Sequence, residues 1–171
     1  MSRAGTIDGP RFAMGREVIT GALAIADLPR LAGMGCEAAT LQYVVRGGRD
    51  ADGCATLAVE VSGQLRLACQ RCLGALDFPL AVTSLLELAG SESEIDAADD
   101  ERDRVLASTS MDVAALVEDE AILALPMVPM HASCEAAFAD AAREDPSPFA
   151  ALAGLQESGA GPLGPGRKPN T

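Results

Sequence analysis

Leu57, Val59, Val61, Leu65, Leu67 and Cys69 occupy alternate positions, and Thr56, Glu60, Gln64 and Arg66 fill positions between them. Side chains of a strand point to opposite faces in turn, so this pattern commits the run to a strand with one buried face. A helix would scatter the same residues around its circumference. Gly63 falls on the apolar parity and marks a site for a bulge or bend. Upstream, Leu41, Tyr43 and Val45 alternate with Thr40, Gln42, Val44 and Arg46. Downstream, Phe78, Leu80, Val82, Leu86 and Leu88 alternate with Pro79, Ala81, Thr83 and Glu87. Short connections rich in turn formers, Gly47 to Gly53 and Gln70 to Gly74, separate the three runs. Strands joined so tightly pair antiparallel, because a parallel pair needs a long crossover. The expected fold is α+β: an antiparallel β-meander sheet of about three or more strands, packed with a few helices, in a single domain.

The second half supplies the helices. Asp112 is placed to cap one, since its carboxylate can accept free N–H groups of the first turn. Val113, Leu116, Val117, Ala121 and Ala124 follow at helical spacing, and Pro126 and Pro129 end the helix. Glu118, Asp119 and Glu120 read as its solvated face. Residues 1–16 read as a flexible N-terminus, followed by an apolar segment from Val18 to Leu31 in which Pro29 limits any helix. From Glu87 to Arg104, eight acidic and two basic residues indicate a solvated acidic loop at about 89–104. An Ala-rich stretch after Cys134 suits another short helix. The Gly- and Pro-bearing end reads as a flexible tail over 157–171, which leaves 17–156 as the domain.

Charge narrows the partners. The chain carries 13 basic and 25 acidic residues, a formal net charge of −12. Holding a nucleic-acid backbone over a broad surface takes clustered Lys and Arg, so DNA binding is not expected and any RNA contact is narrow or made through a protein. No apolar run reaches the roughly 18 residues of a membrane span. The N-terminal stretch Met1 to Pro10 lacks the apolar core of a signal peptide, and the expected location is cytoplasmic. Five cysteines, an odd number, do not suggest a disulfide framework. Cys36 and Cys54 stand apart and read as small apolar residues.

Two short motifs carry chemistry: Cys69-Gln70-Arg71-Cys72 and His131-Ala132-Ser133-Cys134. Each is a pair of metal-ligand residues two apart, and two such pairs complete a tetrahedral site, here Cys69, Cys72, His131 and Cys134 around one structural Zn2+. Four protein ligands leave no open position, so such a metal would be structural. Two other readings stand beside it. Cys69 and Cys72 would form a redox couple if they opened a helix, whereas their surroundings read as a hairpin. The same residues would also serve as metal-free structural side chains. The sequence has no Gly-rich phosphate loop, nucleophile elbow or His-Glu-x-x-His helix, and the chain is not expected to be an enzyme.

Three stretches resemble the YceD family of large ribosomal RNA subunit accumulation proteins. They are Leu67-Ala68-Cys69-Gln70-Arg71-Cys72-Leu73, the segment from Val117 through Pro126 and Pro129 to His131, and Pro148-Phe149-Ala150-Ala151-Leu152-Ala153-Gly154-Leu155. The second is the most distinctive, and together the resemblance covers roughly residues 20 to 156. It implies an accessory role in ribosome biogenesis, supporting synthesis, processing or accumulation of large-subunit (23S) ribosomal RNA by binding rather than catalysis. The implied partners are the large-subunit RNA precursor or a ribosomal or assembly protein. A metal-stabilised adaptor for a ribosomal protein is the alternative, and a nuclease or thiol-redox enzyme is a further one.

Overall fold

The computed structural model describes residues 5–98 and 102–134. Three long strands form its centre: β3 (Ala38–Arg49), β4 (Ala55–Ala68) and β5 (Ala75–Ala89). They follow β1 (Thr6–Ile7), α1 (Gly9–Gly15), β2 (Val18–Ala24), a 3-10 turn (Ile25–Asp27) and α2 (Pro29–Gly33). After β5 come α3 (Glu92–Asp96), β6 (Arg104–Leu106), β7 (Met111–Asp112) and α4 (Val113–Leu123). The five-stranded sheet has the order β2-β3-β4-β5-β6, antiparallel throughout except for β6, which runs parallel to β5. β1 and β7 form a separate antiparallel pair. The fold is α+β, with the expected meander at its centre.

The alternating pattern translates directly into burial. Leu41, Val45, Leu57, Val59, Val61 and Leu65 are buried on one face, and Leu80 and Leu86 join them from β5. Packed over that face, α4 adds Val113, Leu116, Val117 and Ala121. The Asp112 carboxylate accepts from the N–H groups of Ala114 and Ala115 and starts the helix as its sequence suggests. The helix ends at Leu123, ahead of Pro126.

Gly63 makes no bulge. Register runs unbroken through Leu41↔Gly63, and a Cβ at Gly63 would lie 2.1 Å from the Thr40 carbonyl oxygen. Glycine is needed there because β3 and β4 approach too closely for a side chain, which a parity argument cannot separate from a bulge.

Within the stretch 1–16, expected to be flexible, Gly9–Gly15 form α1. Asp8 caps α1 by accepting from the Arg11 N–H, and Phe12 and Ala13 are buried in the core. α1 lies on β3 at Gly47, where a Cβ would come within 2.3 Å of the Phe12 carbonyl oxygen. So short a helix has little stability of its own and forms because it packs, which leaves only a faint sequence signature. Pro29 likewise opens α2 rather than limiting a helix, as proline at a first turn loses no needed donor.

In the acidic stretch expected as a solvated loop at about 89–104, most of residues 91–98 are exposed, and two short elements lie within or beside it. Ser91 caps α3, and β6 pairs with the end of β5. Arg102 reaches Asp50 and Asp52 in the β3–β4 turn and offsets part of the acidic charge. The Ala-rich helix expected after Cys134 and the tail over 157–171 lie outside the described residues.

Candidate metal centre

Cys69 follows the last residue of β4, and Cys72 lies in the turn before β5. The turn is closed by two backbone bonds, Cys69 N–H to Gly74 O at 2.9 Å and Leu73 N–H to Cys69 O at 2.8 Å. Leu73 adopts a left-handed conformation, φ +59°, to complete it. The second pair arrives on the proline-bearing segment after α4. Its anchor is the Gln70 N–H, which donates to Pro129 O at 2.8 Å and docks the segment along the turn.

All four expected residues meet. Their nearest ligand atoms, three Sγ and one imidazole nitrogen, lie within 4.8 Å of one another. Cys69 Sγ and Cys134 Sγ are 3.6 Å apart, Cys72 Sγ and His131 Nδ1 3.5 Å, and Cys134 Sγ and His131 Nδ1 3.9 Å. A tetrahedron with zinc–sulfur bonds of about 2.3 Å and a zinc–nitrogen bond of about 2.0 Å has edges of roughly 3.5–3.8 Å. The observed spacings suit that figure and are far too long for a disulfide, about 2.05 Å.

His131 is oriented for the role. Its Nε2 lies 3.0 Å from Ala75 O, and a carbonyl can only accept, so Nε2 carries the proton and Nδ1 turns its lone pair toward the sulfurs. A backbone carbonyl holding the far nitrogen in this way is the usual outer support of a metal-binding imidazole.

Burial pushes the Cys69 thiol up, but the N–H groups of Cys72, His131 and Arg71 and the Cys134 side chain together pull it down to about 5. Burial and the neighbouring Cys69 and Cys72 sulfurs push Cys134 up to about 11. Hydrogen bonding to Cys72, then to Cys69, raises His131 above its ordinary value. In the metal-free centre Cys69 carries the negative charge, and a divalent cation would bind with release of the protons that the raised Cys134 and His131 hold.

Beside the centre lies an apolar groove of about 460 Å3 lined in part by Met34, Leu67, Ile122, Leu125, Met127 and Pro129. Met127 is fully exposed and Leu123 is 79 % exposed at its rim.

Sequence reasoning missed a second cluster. Glu118 and Glu120, expected on a solvated face, are only 3 % and 5 % exposed. Glu118 Oε1 accepts from the Arg30 and Leu31 backbone N–H groups at 2.8 and 3.0 Å, and Oε2 accepts from Arg30 Nε at 2.9 Å. These contacts cap α2, whose first-turn donors lack a side-chain cap of their own. Asp119 pairs with the same guanidinium, and Glu120 accepts from Ser84 Oγ. Glu120 was legible in principle, because it lies three residues after Val117 and four after Leu116, on the apolar stripe.

These features define a small sheet protein in which carboxylates at the middle of α4 hold it to α2, and a Cys3His cluster joins the segment after α4 to the β4–β5 turn. The chain matches the family described as large ribosomal RNA subunit accumulation protein YceD over residues 57–156, more than half of its length, and belongs to that family. The family's description connects it with large-subunit ribosomal RNA and ribosome biogenesis. The matched span takes in both metal-ligand pairs. No solved structure matches the chain. Among the described residues, no helix is long and apolar enough to cross a membrane.

Proposed function

We propose that this chain is a cytoplasmic, non-catalytic accessory factor that supports large-subunit (23S) ribosomal RNA by binding, with one structural Zn2+ held by Cys69, Cys72, His131 and Cys134. The convergence of those four donors within 4.8 Å of one another carries the metal assignment. A closed set of four ligands leaves no site for a reacting water, so the metal's part is to fix the β4–β5 turn to the segment after α4. Family membership supports the biogenesis assignment.

The expected contact is with a ribosomal or assembly protein. The net charge of −12 disfavours wrapping RNA, whereas the exposed apolar rim at Leu123 and Met127 suits a protein surface. The test is isolation of the full-length chain from extracts with and without ribonuclease. Retention of large-subunit proteins after ribonuclease is the expected result. Their loss would assign the contact to RNA, and absence of any large-subunit component in both samples would overturn the proposal. Cleavage of 23S precursor by the pure protein would restore the nuclease alternative.

A further inference from the structure

The three sulfurs of the cluster are not equivalent. Cys69 is buried, while Cys72 and Cys134 are half-buried. Cys69 Sγ and Cys134 Sγ are in contact at 3.6 Å, whereas Cys72 Sγ lies against His131 Nδ1 at 3.5 Å. Cys69 and Cys72 share a turn whose backbone is fixed by its own hydrogen bonds and by the left-handed Leu73. Cys69 and Cys134 belong to different segments, so their sulfurs can close the remaining distance of roughly 1.5 Å without rebuilding that turn.

We propose that this centre is also an oxidation site, at which hydrogen peroxide joins Cys69 to Cys134 and releases the metal. The proposal rests on the metal-holding reading above. Cys134 is more accessible than Cys69 and, while it holds the metal, is deprotonated; its sulfur attacks the peroxide, forming an S–O bond as the O–O bond breaks and hydroxide leaves to be protonated to water. Cys69 thiolate then attacks the Cys134 sulfur. An S–S bond forms, the S–O bond breaks, and the oxygen departs as a second hydroxide, also protonated to water. The two sulfurs together give up two electrons and one peroxide becomes two waters. The metal leaves as the unchanged dication because only Cys72 and His131 remain to hold it. The new bond joins the same two segments that the metal joined, so the clasp is exchanged rather than opened.

The experiment uses the full zinc-loaded chain treated with hydrogen peroxide. Released zinc is followed with a chromophoric chelator, and disulfides are mapped by mass spectrometry after trypsin digestion without reductant. Cleavage after Arg66 and Arg71 puts Cys69 on the short peptide Leu67 to Arg71, apart from Cys72, and Cys134 falls on a third peptide. The expected result is a Cys69–Cys134 linked pair that accumulates about one-to-one with released zinc, and recovery of zinc binding after thiol reductant. Release accompanied instead by a Cys69–Cys72 or Cys72–Cys134 link, or by unlinked sulfinic acids, would overturn the proposal, as would retention of zinc. Zinc content before peroxide separates the two claims. A chain that holds no zinc sinks the metal reading, and the same peptide map on that chain then supports or overturns the Cys69–Cys134 pairing by itself.

Discussion

Two clasps hold the chain from Asp112 to Cys134 against the rest of the fold, and they solve the same problem with opposite chemistry. At the α2 side, Glu118 meets two backbone N–H groups and one guanidinium, so each carboxylate oxygen has charged or polar donors inside the protein. At the turn side, three sulfurs and an imidazole nitrogen face one another, and the donors among them are weak or shared. The first clasp is complete within the chain. The second gathers acceptors around a common point, the arrangement expected where a cation supplies the missing partner. Buried anionic groups thus do not identify a ligand site by themselves. What separates the two regions is whether the chain also supplies the counter-charge.

The largest expected effect breaks the second clasp. Removing zinc with a chelator should lower stability by about 4 kcal/mol relative to protein in zinc at roughly 1,000 times its dissociation constant. Cys72→Ser should lose the metal and the chelator effect together, as read by elemental analysis and thermal melting. Equal melting with and without zinc would remove the distinction between the clasps.

Next comes the first clasp. Glu118→Ala strands the Arg30 and Leu31 N–H groups at the start of α2 and should cost about 2–3 kcal/mol in urea unfolding. The half-exposed Arg30 guanidinium keeps this below the full cost of breaking a buried pair. Zinc content should not change, and a loss of zinc in this variant would show that the two clasps are one cooperative unit. Asp112→Ala, which removes the cap at the start of α4, should cost about 1 kcal/mol by the same measurement. Smallest of all, Met127→Ser at the exposed rim should alter stability by less than about 0.5 kcal/mol while weakening association with large-subunit proteins. An unchanged association would move the contact surface elsewhere.

Much of this architecture is readable from local pattern. The parity of Leu57 to Cys69 assigns the buried face of β4, because a strand offers a side chain only two directions. Asp112 and Pro126 bracket α4 for equally local reasons, one supplying an acceptor to free N–H groups and the other denying a donor. The two Cys/His pairs announce ligand chemistry through residue type and spacing. α1 is less legible, since its seven residues have almost no helical preference to display and are held by Phe12 packing near Gly47. Glu118 is misleading for a related reason. A glutamate among acidic neighbours looks solvated until the segment bearing Arg30, 88 residues away, is brought beside it.

By itself, then, the sequence determined the three-stranded meander, the limits of α4 and the four residues able to bind a soft cation, all through chemistry acting over a few residues. Only the tertiary structure decided that Cys69 meets Cys134, that His131 sets Nε2 against Ala75 O and turns Nδ1 toward the sulfurs, and that Glu118 is a cap rather than a surface charge. Each of those depends on contacts between segments distant along the chain, whose pairing is selected by burial of the shared core and leaves no periodic trace in either segment alone.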